Sequence, residues 1–139
     1  MVFKNFSNTL IENLNSFDDG YASFIDYAPD LFSLLCDILD EKTINQELRV
    51  YLTSAIAYFV IPNDVISEEI YGAYGYVDDI YISVYVLKKV ADENGYEILQ
   101  KHWNDDSNIK NVINECYDSS LELLEDKVYD VLSYVGLID

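Results

Sequence analysis

The chain predicts an all-α fold, an irregular bundle of about six or seven helices in a single domain. Three observations carry that prediction. Apolar residues recur at spacings of three and four along most of the chain, the period of a helix with one buried face. Only two prolines and five glycines punctuate the 139 residues, too few for the frequent turns of an all-β chain. Half of the residues are hydrophobic, which supplies a core despite the charge. A chain of this length reads as one domain, residues 1–139.

The elements follow in order. Phe3, Phe6, Leu10 and Leu14 line one face of a first helix that ends near Asp18, Asp19 and Gly20. Residues 21–27 form an irregular lead-in or a short helical turn, and Pro29 suits the first turn of the helix after it. Leu31, Leu34, Leu35 and Ile38 give that helix its apolar face. Thr43 and Gln46 have the spacing of a capping box at the start of the next. Its buried face is then Ile44, Leu48, Leu52, Ala55, Ile56 and Phe59. Pro62 stops it, because proline lacks an N–H and disfavours helix at the preceding residue.

A short helical or looped segment spans residues 64–74, punctuated by Gly72 and Gly75. Val77, Ile80, Val84, Leu87 and Ala91 then repeat at helical spacing and predict an amphipathic helix. Lys88 and Lys89 are placed near its C-terminal end, where positive charge complements the helix dipole. Asn94 and Gly95 fit its C-cap. The run Asn104, Asp105, Asp106 and Ser107 reads as an N-cap cluster. Ile109, Val112, Ile113 and Cys116 line the helix that follows. Leu121, Leu124, Val128, Val131 and Val135 line the last helix, or the two form one helix with a bend near Ser119 and Ser120. The C-terminal helices, residues 104–139, are expected to pack on the region 52–91.

Charge narrows the function. With 26 acidic and 8 basic residues the net charge is −18. That field repels phosphates and anionic lipid, so direct nucleic-acid binding is not expected. A basic partner protein or a bound cation is the complementary expectation. Cys36 and Cys116 lie far apart among apolar neighbours and read as core thiols of a reducing, cytoplasmic compartment. The N-terminal residues lack the apolar region of a signal peptide. The longest apolar run, residues 55–62, is far short of the roughly 20 residues that span a bilayer.

One constellation stands apart. Asp64, Asp78 and Asp79 flank a turn rich in glycine and tyrosine, with Glu68 and Glu69 between them. A helix N-terminus leaves four backbone N–H groups unpaired. A carboxylate there accepts those bonds, and a cap contributes about 0.5–2 kcal/mol. The three aspartates therefore read first as a buried clasp between two helix starts. The alternative reading is a divalent-ion site, since Mg²⁺ or Ca²⁺ takes clustered carboxylate oxygens. A metal-dependent enzyme would use the same three residues.

This stretch resembles the YkvA-like bacterial family of unknown function. Its hallmark is an apolar helix ending in Pro-x-Asp-x-Ile-Pro, followed by Gly-x-x-Asp-Asp opening another helix. Pro62, Asp64 and Ile66 match the first part, and Gly75, Asp78 and Asp79 the second. Ser67 stands where the second proline of the pattern would be. The segment Lys101, His102 and Trp103 is similar to longer members of the family. The resemblance implies a small helical domain, membrane-associated in some relatives, and no established reaction.

Other signals are weaker. Tyr71, Tyr74, Tyr76, Tyr81 and Tyr85 crowd the motif, and tyrosines serve both as interface anchors and as packing around carboxylates. Of these, Tyr71, Tyr74 and Tyr76 join the three aspartates as candidate binding residues. His102 is the only histidine, with no nucleophile or oxyanion motif beside it. No catalytic residue is assigned. The expected function is therefore a non-enzymatic interaction module, an accessory, regulatory or inhibitory subunit for a protein partner. A sharper form is an acidic mimic of nucleic acid, as an antitoxin-like inhibitor would be.

Overall fold

The computed structural model describes residues 8, 11–12, 23–60, 76–104 and 106–134. Among them there are six helices and no strand. A 3₁₀ turn, Ser23–Tyr27, leads into α1, Ala28–Leu39. Then come α2 (Gln46–Val60), α3 (Val77–Asn94) and α4 (Tyr96–His102). α5 (Ile109–Leu124) is followed by a 3₁₀ turn, Glu125–Lys127, and α6 (Val128–Tyr134). The predicted all-α, single-domain bundle is the observed architecture. Of the first predicted helix only Asn8, Ile11 and Glu12 are described; they are helical and exposed.

The predicted faces are the buried ones. Leu31, Leu34, Leu35 and Ile38 of α1 are sealed from solvent, as are Leu48, Leu52, Ala55, Ile56 and Phe59 of α2. Each large apolar side chain so buried contributes about 1.5–3 kcal/mol relative to exposure. Phe32 and Phe59 meet edge to face at 5.2 Å and join α1 to α2. Pro29 sits in the first turn of α1, where its missing N–H would have had no partner.

α3 departs from the amphipathic expectation. Residues 77–84 are all buried, so its first two turns have no solvent face. The reason is its place in the bundle: α3 contacts all five other helices and the first 3₁₀ turn. A helix surrounded on every side is a core helix, not a surface one. Only its last part is one-sided, with Asp92, Glu93 and Asn94 exposed. It ends at Gly95, whose φ of 85° lies in the region that favours glycine and whose N–H bonds Ala91 O at 2.8 Å. α4 starts at the next residue, so this glycine is the whole connection.

Two caps differ from the sequence reading. α2 is capped by Asn45, whose Oδ1 accepts from Leu48 N at 2.8 Å. The Thr43–Gln46 box does not form, because the helix starts two positions later than that box requires. Asn45 also donates to Glu93 at 2.6 Å, tying the start of α2 to the end of α3. Similarly, Asn108 caps α5 through Asn111 N at 3.2 Å, one residue beyond the predicted 104–107 cluster. The last break is also displaced. α5 runs through Ser119 and Ser120 and ends at Glu125, where φ reaches +51°.

Candidate functional site

The site begins with two buried carboxylates. Asp78 and Asp79 occupy the first turn of α3, as their spacing after Gly75 predicted, and are 0% and 1% exposed. The positive end of the helix dipole favours negative charge there. Burial nonetheless removes their water, so each oxygen needs a replacement donor. For Asp78 two donors are in place. Tyr58, on the buried face of α2, donates its hydroxyl to Asp78 Oδ2 at 2.5 Å. The Asp79 amide donates to Asp78 Oδ1 at 3.0 Å. One turn on, Ser83 Oγ donates to Asp79 O at 2.8 Å, which satisfies a buried hydroxyl inside the helix.

This arrangement joins two helices that the chain separates by a long link. Tyr58 and Asp78 are 20 residues apart in sequence. The Tyr58 hydroxyl on the Asp78 carboxyl thus ties α2 to the start of α3. Tyr76 precedes the helix at the N-cap position, is 3% exposed and makes no side-chain cap bond. Asp64, Tyr71 and Tyr74, with Pro62, Ile66 and Gly75, lie outside the described residues. The three-aspartate cluster is therefore seen only through Asp78 and Asp79. Among the described residues, no group of three His, Cys, Asp or Glu is placed to hold a metal ion.

Behind α3 the tyrosines pack inward. Tyr81 is buried and its ring lies 5.6 Å from Tyr117 of α5 and 6.1 Å from Tyr85. Burial, with Tyr117 and Tyr85 adding to it, pushes the Tyr81 phenol well above its ordinary range. Lys88 and Lys89 are not in the last turn of α3 and do not serve its dipole. Lys88 sits 4.5 Å over the Tyr117 ring and bonds Asn114 at 3.1 Å. Lys89 lies between the rings of Tyr51 and Tyr85, at 5.4 and 5.0 Å.

A second polar cluster closes the α1–α2 turn. Arg49 donates to Leu39 O and Glu41 O at 2.5 and 2.6 Å. The Glu41 carboxylate receives His102 Nε2 at 2.5 Å and Lys101 Nζ at 3.4 Å, both from the end of α4. The His102 hydrogen bond, then Lys101, holds the Glu41 carboxyl below its ordinary value. Asp37, nearby on α1, is pushed the other way by burial. His102 is thus a partner in a structural tie. Neither Tyr58 nor Arg49 was singled out from sequence. Tyr58 carried one signal: it stands three residues after Ala55 and two after Ile56, on the edge of the apolar face of α2.

The thiols are inert by the same logic. Burial, with Asp37 and Asp40, raises Cys36 to about 11. Burial, with Glu115, raises Cys116 to about 12. Both cysteines are free and buried. A thiolate is the reactive form, so neither is a nucleophile near neutral pH.

Comparison with known proteins falls on the same pair of helices. Residues 48–85 match the model of a family described as "Protein of unknown function (DUF1232)". That stretch covers most of α2, the link, and the first half of α3, hence both Tyr58 and Asp78. The chain is also 29% identical over 126 residues to "Uncharacterized protein ORF9" of Methanothermobacter thermautotrophicus, covering 91% of this chain and 86% of that protein. No solved structure matches the chain. Residues 48–85 are thus similar to that family, and the YkvA-like pattern of Pro62, Asp64, Gly75, Asp78 and Asp79 is consistent with the match.

Proposed function

We propose that the protein is a non-enzymatic helical interaction module that binds a basic partner protein through the outer side of α5 and the corner between α5 and α6. It would act there as an accessory, regulatory or inhibitory subunit, in the cytoplasm. The observation that supports this reading is how the charges are distributed. Glu115, Asp118, Glu122, Glu125 and Asp130 are all exposed along that stretch, and Lys127 is the cation among them. Leu123 is 46% exposed and Tyr129 73% exposed in their midst. An exposed tyrosine amid charge has the make-up of an interface anchor.

Most of the cations among the described residues meet groups of the chain itself. Arg49 binds backbone carbonyls, Lys101 meets Glu41, and Lys88, Lys89 and Lys110 cover tyrosine rings. The acids of α5 and α6 therefore keep their field. The clasp supports the same reading from the other side. Asp78 already accepts from the Tyr58 hydroxyl and the Asp79 amide. A divalent-ion role for Asp78 and Asp79, with Asp64, is the alternative; two donors aimed at Asp78 oppose a cation at those oxygens. A calorimetric titration with Mg²⁺, Ca²⁺ and Mn²⁺ decides it, heat at millimolar ion favouring the alternative.

The direct test places a photo-crosslinking residue at Tyr129 in the full chain and captures partners in the native host. A basic protein caught by this chain, and no longer caught when Asp118→Lys is combined with Glu122→Lys or when irradiation is done in high salt, supports the proposal. Capture no different from a charge-matched control overturns it. If the captured partner binds DNA, competition with DNA for that partner distinguishes a nucleic-acid mimic from a simple accessory subunit.

A further inference from the structure

We draw no further inference here: the strongest candidate, the uncharged stripe of Val50, Thr53, Ala57 and Val60 exposed along the outer face of α2, is an unpartnered apolar face, and nothing in the structure shows what covers it.

Discussion

At the scale of single residues, the most consequential contact is the hydroxyl of Tyr58 on Asp78. A buried carboxylate that loses a donor keeps its desolvation penalty, and an unsatisfied buried group costs about 1–3 kcal/mol, more when charged. Tyr58→Phe keeps the ring and removes only the hydroxyl. It is expected to lower stability by about that amount, read as a drop in the urea midpoint with an unchanged slope. An unaltered midpoint would mean that the hydroxyl contributes little to the clasp.

Glu41 offers a second residue-scale test, through pH. Its carboxyl is held below its ordinary value by His102 and Lys101. A group depressed in the folded state stabilises above its unfolded value, and that contribution is lost as pH falls through the folded one. The usual value is 4.5, so the loss lies below that point. Asp37 has the opposite sign, since burial raises it from 3.8. Its contribution is present at low pH and fades as pH rises. Glu41→Gln isolates the first effect. The gap in melting temperature between wild type and Glu41→Gln is expected to narrow as pH falls below about 4.5.

At the scale of elements, chain breaks are set by backbone geometry more than by polarity. Ser119 and Ser120 looked like a bend because serine competes for backbone hydrogen bonds. Inside α5 they are tolerated, and Ser120 is fully buried. The helix ends instead at Glu125, whose N–H still reaches Leu121 O while φ turns to +51°. A residue with a Cβ in that conformation stores about 1–3 kcal/mol of strain. Glu125→Gly is expected to raise stability by about 1 kcal/mol, the strain relieved less the entropy glycine loses on folding. Glu125→Ala retains the Cβ and brings no such gain. Thermal denaturation of the pair checks the contrast.

Element packing also explains why the amphipathic reading failed for α3 and held for α1 and α2. α2 keeps an exposed side at Val50, Thr53, Ala57 and Val60, and α1 keeps only half-buried residues opposite its main stripe, so the strongest stripe of each is legible. α3 has neighbours on all sides. Its second stripe is Tyr81, Ile82 and Val86, each buried, and in the sequence these look like ordinary apolar residues off the main face. The two aspartates disguise the helix further, because buried charge at a helix start resembles a solvated end until its donors are seen.

For the whole molecule, net charge sets both stability and partners. Eighteen uncompensated negative charges repel one another in the compact state. Salt screens exposed charges over a Debye length of about 10 Å at 0.1 M. The melting temperature is therefore expected to climb as sodium chloride rises from a few millimolar to several hundred. A flat or falling curve would show that ion pairs such as Glu41 with Lys101 outweigh the repulsion. No helix among the described residues is long and apolar enough to cross a membrane.

By itself the sequence determined the helical class, the apolar faces of α1 and α2, the burial of both cysteines, and the place of Asp78 and Asp79 in a first turn. All of these follow from local spacing, propensity and composition, which act over one or two helical turns. Tertiary structure alone decided that Tyr58 meets Asp78, that α3 is enclosed, and that Arg49 and most of the described lysines turn toward carbonyls, carboxylates and rings. Those outcomes depend on which helices lie side by side. Packing brings together groups that the chain keeps tens of residues apart, and no periodicity along one segment records its neighbours.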